Sequence, residues 1–128
     1  MEIFGFERLR VYERAHSIVV DVYALLKNFP AEEKYALCDQ MRRSAISVPS
    51  NIAEGMGRCS LREQAHFLEI AYGSLMELYS QLRIALDLHY ISDEAFCELK
   101  RNIYDVATML SKLHAIRQNM IENKHLES

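Results

Sequence analysis

Gln40, Arg43, Ser47, Asn51 and Glu54 follow one another at steps of three, four, four and three residues, inside the stretch "QMRRSAISVPSNIAEGMGRCS". On an α-helix that spacing sets an arginine, a hydroxyl, amides and a carboxylate along one line. Ser74, Glu77 and Gln81 make a second line of the same chemistry further along the chain. Two such lines facing each other across a helical hairpin can form a hydrogen-bonded network, with an arginine-carboxylate pair as its strongest, charge-assisted member. If the hairpin turns near Arg58, residues whose numbers sum to about 117 lie level. Arg43 then faces Ser74, Gln40 faces Glu77, and an Arg43-Glu77 pair is expected. The role expected of this ladder is structural, fixing the register of two helices.

Other chemistry finds less support. The sequence holds no convincing nucleophile-base pair, no phosphate-cradling loop, and no H-E-x-x-H or Glu-x-x-His motif. His16, His66 and His114 can reach similar heights, but the heptad phase sets His66 opposite the apolar stripe and the other two at its flanks. That phase argues against a shared metal. Cys38, Cys59 and Cys97 are odd in number and widely spaced, which implies neither a disulfide framework nor a zinc site. A non-enzyme without cofactor or metal is the reading.

The elements that must position the ladder come from the apolar residues, which make up 50% of a 128-residue chain and suffice for one domain spanning 1–128. Apolar residues at helical spacing predict an all-α, antiparallel up-down-up-down four-helix bundle, with helices at approximately 7–29, 31–55, 61–88 and 93–121. The first stripe reads Val11, Ala15, Ile18, Val22, Leu25 and Phe29, and Pro30 closes it. The second is Cys38, Met41, Ala45, Val48 and Ile52, with Gly55 and Gly57 suited to a C-cap. The third, Leu68, Ala71, Leu75, Leu78, Leu82 and Ala85, follows a capping-box pattern from Ser60 to Glu63. The fourth, capped by Ser92, carries Leu99, Ile103, Val106, Leu110 and Leu113.

Pro49 lies within the second stripe without shifting its phase, which predicts one helix kinked at the proline. The alternative places Pro49 at the first position of a new short helix. In either case a freed carbonyl needs another donor, and Ser50 and Asn51 are near enough to help.

Two surfaces point to partners. Between Phe67 and Leu82 apolar residues spread beyond the roughly 100° stripe that a surface helix buries. A subunit interface is therefore expected, with Tyr72, Gly73, Met76 and Tyr79 as its candidates. Gly73 would let a second backbone approach, offsetting the roughly 1 kcal/mol that glycine costs a helix. The net charge of -3 supplies no general attraction for nucleic acid. One end of the bundle nevertheless collects arginines, and Arg10, Arg14, Arg58 and Arg62 are the candidate RNA contacts. The longest apolar runs fall far short of the roughly 20 residues of a membrane span, and "MEIFGFERLR" lacks signal-peptide features. A cytoplasmic location without membrane contact is expected.

The segments "FPAEEKYAL", "QMRRSAISVPSNIAEG" and "FLEIAYGSLMEL" also resemble the bacterial 23S ribosomal RNA intervening-sequence protein family, over nearly the whole chain. Some members are encoded within insertions in 23S ribosomal RNA genes, and their molecular role is not established. Related accessory variability proteins of retroelements are four-helix bundles that form pentameric barrels and bind a reverse transcriptase and nucleic acid. The resemblance implies a homopentamer and an RNA or ribonucleoprotein accessory role. A protein-interaction scaffold without RNA binding is the alternative.

Overall fold

Apolar side chains recurring every three or four positions require a shared interior, and four helices provide it: α1 (Arg10–Leu26), α2 (Leu37–Met56), α3 (Leu61–Asp87) and α4 (Asp93–Glu127). They are seen in a computed structural model that describes residues 2–127, the side chain of residue 127 excepted. The expected stripes of α2 and α3 are buried throughout, as are Leu99, Ile103, Val106 and Leu110 of α4. In α1 Leu26 takes the core position, with Leu25 half-buried beside it.

Each helix packs on its sequence neighbours and α1 returns to α4, whereas the diagonal pairs make no close backbone approach among the described residues. Rising numbers meet falling ones at Ser47-Ser74, His114-Glu69 and Arg117-Gln64. This is the antiparallel bundle that short connections favour.

The helix ends differ from the expected ones for local reasons. A 3-10 turn, Gly5–Arg8, precedes α1, and the Phe4 N–H donates to Glu7 Oε1 at 2.9 Å. Residues 31–36 do not open α2. Pro30 is extended (φ -58°, ψ 145°), a 3-10 turn Ala31–Glu33 follows, and Ala36 (φ -116°, ψ -102°) interrupts the spiral. Glu33 Oε2 then accepts the Leu37 N–H at 3.3 Å, satisfying a first-turn donor. From Leu37 the helix is continuous through the buried Pro49, so Pro49 does not begin a separate helix. Toward its C-terminus α4 runs past 121, since neither glycine nor proline occurs after Asp93 and its basic last turn suits the macrodipole.

The α2-α3 hairpin is held at both ends. Gly57 caps α2, while Gly55 serves close approach: a Cβ there would lie 2.8 Å from Phe67 Cβ. Ser60 Oγ accepts the Glu63 N–H at 3.3 Å, but the Glu63 carboxylate turns to Arg58 at 3.5 Å instead of completing the expected reciprocal cap. At the far end α3 closes in a Schellman arrangement, with Tyr90 N–H donating to the Ala85 carbonyl at 2.9 Å and His89 N–H to that of Leu86 at 3.0 Å. His89 occupies the left-handed position, φ 64°, usually given to glycine. Ser92 Oγ accepts the Ala95 N–H at 3.1 Å as α4 opens.

Candidate assembly and nucleic-acid surfaces

The polar lines of α2 and α3 meet in part. Ser47 Oγ and Ser74 Oγ are 2.8 Å apart, and Asn51 Nδ2 donates to Ser47 Oγ at 2.9 Å. The same amide donates to the Ser47 carbonyl at 2.7 Å, and so does not serve the carbonyl of Ala45, four residues before Pro49, which the proline deprives of its helical donor. Gln81, 5% exposed, donates to Glu77 Oε2 at 3.2 Å and accepts the Ser44 hydroxyl at 2.7 Å. Among the described residues no buried side-chain nitrogen or oxygen lacks a partner. The ladder is thus internally satisfied, the condition under which buried polarity can specify register.

Arg43 and Glu77 do not pair. The Arg43 side chain is 81% exposed and its Nε lies 3.5 Å from Asp39 Oδ2, one turn back on α2. Gln40 and Glu54 are also exposed, and Glu54 accepts from Arg58 at 3.1 Å. The cause is phase as well as register. Gly55 meets Phe67 and Ser47 meets Ser74, so level residues sit about a turn further along α3 than a turn centred near Arg58 requires. Ser44 occupies the α3-facing position, and its neighbour Arg43 faces water, where a guanidinium keeps its hydration. Sequence reading passed over Ser44; its one signal is a spacing of three from both Met41 and Ser47.

Tyr72, Met76 and Tyr79 stand on one wall of a groove between α3 and α4, about 510 Å³ in volume. The α4 wall supplies Ile103, Tyr104 and Ala107, with Lys100 and Lys112 among the remaining lining residues. Tyr79 is half-buried, its ring centroid 6.0 Å from that of Phe96. Tyr72, Met76 and Gly73 are exposed, and the space above Gly73 is open. Tyr104 is 71% exposed. It lies off the α4 core stripe among polar residues, so periodicity did not find it.

The four arginines fall into two classes. Arg14 Nη2 is 2.7 Å from Asp105 Oδ2, and Arg58 reaches Glu54 and Glu63 while its guanidinium lies 4.8 Å from the Phe67 ring centroid. Their charge is locally balanced. Arg10 and Arg62 are exposed and form no ion pair among the described residues. Near Arg62, half-buried Arg117 is held by neutral groups, Gln64 Oε1 at 2.7 Å and Met56 Sδ at 3.6 Å.

The remaining titratable candidates are dispersed. His114 Nε2 lies 2.9 Å from Glu69 Oε2, while His16 neighbours Tyr12 and His66 neighbours Phe67. No group of three metal-ligating side chains occurs among the described residues. Burial pushes the Cys38 thiol pKa up, opposed by Arg42 and reinforced by Glu33; Cys59 and Cys97 are exposed. No helix among the described residues is long and apolar enough to cross a membrane.

Comparison with known proteins bears on this geometry. The sequence profile of the 23S rRNA-intervening sequence protein family matches residues 7–112. A crystal structure of a protein of unknown function from the S23 ribosomal protein family of Bacteroides thetaiotaomicron VPI-5482 is similar, with a TM-score of 0.74. The alignment covers 81% of this chain and 97% of that one at 20% identity, a likeness of fold. No curated protein matches the chain.

Proposed function

The chain belongs to the 23S rRNA-intervening sequence protein family, and from that premise we propose that it is a non-catalytic, homo-oligomeric accessory protein of an RNA-containing assembly. The observation that carries the reading is the α3-α4 groove, where Tyr72, Met76 and Tyr104 stay exposed above an apolar floor. Aromatic and thioether side chains gathered at one concave site resemble the anchors that dominate interface energies. A second copy covering this groove with a different face makes a head-to-tail contact, and such contacts close into rings when the rotation permits. Five copies follow from the resemblance to the retroelement proteins. A ring also repeats its arginine-bearing pole, so contacts to RNA too weak for one copy gain avidity.

A scaffold without RNA is the second reading. It is favoured by the net charge of -3 and by the carboxylates that balance Arg14 and Arg58. Light scattering at micromolar concentration tests the assembly. The wild type is expected above its monomer mass of 14.9 kDa, while Met76→Glu with Tyr104→Glu should dissociate it and leave the helical circular dichroism unchanged. A wild-type monomer, or a double variant that still assembles, overturns the proposed interface. Titration of the wild type with single-stranded RNA across a salt series separates the two readings, because phosphate contacts weaken steeply with salt.

A further inference from the structure

Arg62 at the start of α3 and Lys124 near the end of α4 line one cleft of about 430 Å³. Cys59, Ser60, Leu61, Ile121 and His125 also line it, and among the described residues no carboxylate does. Neither Arg62 nor Lys124 has an ion pair among the described residues, in contrast to Arg14 and Arg58. Three residues before Ile121 on α4 comes Gln118, and one further back Arg117 adds a half-buried charge whose partners among the described residues are neutral. Positive charge from two helices therefore converges on a concave space with no negative group in its walls among the described residues, in a chain whose overall balance is acidic.

We propose that this cleft holds a backbone phosphate of single-stranded RNA, with Arg62 and Lys124 as its ligands. The guanidinium presents a planar fork to two phosphate oxygens, and the ammonium acts as a compact point charge beside it. Ser60 Oγ accepts the Glu63 N–H, and its own proton is free to be donated into the cleft. Leu61 and Ile121 give an apolar wall against which the sugar can lie. The site replaces the set of four arginines expected from the sequence by one cationic pair. It rests on the RNA part of the function proposed above, and is independent of the groove that joins copies.

The test uses the full-length protein, a fluorescently labelled single-stranded RNA of mixed sequence, and inorganic phosphate as a separate probe. Single-strand binding weakens with a log-log salt slope of about 0.7 per phosphate contact. Losing two contacts, in the variant with Arg62→Gln and Lys124→Gln, should reduce that slope by about 1.4, so that about sevenfold less affinity is lost between about 50 and 200 mM salt. The charge-matched control with Lys27→Gln and Lys34→Gln, in the α1-α2 connection away from both the cleft and the groove, should keep the wild-type slope, and the mass of each variant in solution checks that assembly is unchanged. RNA binding with the same slope in both double variants overturns the cleft while leaving the RNA reading standing. If the wild type binds no RNA at low salt, the RNA reading and the proposed occupant both fail. NMR titration with phosphate then reports on the cleft itself: shifts at Ser60 and Arg62 that vanish in the Arg62→Gln, Lys124→Gln variant show a site for free phosphate, and absence of shifts removes the site altogether.

Discussion

Two helical glycines should respond to alanine with opposite signs. In both Gly55→Ala and Gly73→Ala, alanine gains about 1 kcal/mol of helix propensity. At Gly73 nothing lies within 4 Å of the new methyl, so the gain should appear in full. At Gly55 the methyl meets Phe67 Cβ at 2.8 Å and the Gln64 carbonyl at 3.4 Å. Carbon atoms pack at about 3.5–4.0 Å, so α2 and α3 must part by close to an ångström. Phe67 Cβ is fixed to its backbone, and no rotamer change can withdraw it. Overpacking of this kind costs about 1–3 kcal/mol. We expect the upper part of that range, because parting the helices also disturbs the Arg58 contact with the Phe67 ring. The net prediction is a loss of about 1–2 kcal/mol for Gly55→Ala and a gain of about 1 kcal/mol for Gly73→Ala. Urea unfolding followed by circular dichroism reads both, at several protein concentrations because assembly adds stability by mass action. Equal stability of the two variants would refute the close approach at Gly55. If a neighbouring subunit covers Gly73, its alanine variant should be the more stable protomer and yet assemble less tightly; undiminished assembly removes Gly73 from the interface.

Ser44→Ala leaves the Gln81 carbonyl without its buried partner and should destabilise the bundle by about 1–3 kcal/mol, whereas the exposed Arg43→Ala should change stability by less than about 1 kcal/mol. A double-mutant cycle of Arg43 and Glu77 should show a coupling near zero, and a Ser44→Ala variant as stable as wild type would count against the ladder. For the thiols, burial raises the Cys38 pKa, so less thiolate is present at any pH below it, and access is closed as well. Alkylation of the native protein should reach Cys59 and Cys97 quickly and Cys38 only on unfolding; rapid labelling of all three would contradict the packing of α2.

Helix existence was legible because a stripe such as Met41, Ala45, Val48 and Ile52 has one geometrical solution, and all four residues are buried. Helix ends were less so. Nothing in "AEEKYAL" distinguishes an early helix from a 3-10 turn, since the interruption is a backbone angle at Ala36 and the substitute cap is a Glu33 side chain. The polar ladder shows the same limit at finer scale. Spacing placed Ser47 and Asn51 on one line, but which side of that line faces α3 depends on helix phase and register, and these are set by packing at Gly55 and Phe67. Charge was the hardest to read. The carboxylates on Arg58, Glu54 and Glu63, are close in sequence, but Asp105 is 91 residues from Arg14, a distance across which sequence alone gives no pairing.

That remote contact between α1 and α4 has a kinetic side. Closing a free loop costs about (3/2)RT ln n, which is about 4 kcal/mol for the 91 positions from Arg14 to Asp105 and about 3 kcal/mol for the 27 from Ser47 to Ser74. The difference is only about 1 kcal/mol, and it shrinks once the α2-α3 and α3-α4 hairpins have formed, because the intervening chain is then a rigid span instead of a coil. Neighbouring contacts thereby prepare the distant one. Chains dominated by such local contacts reach the native state quickly and leave few unpaired surfaces on the way. If the chain zips from the hairpins outward, the α1-α4 seam closes last, at an entropy cost already largely met by the helices between.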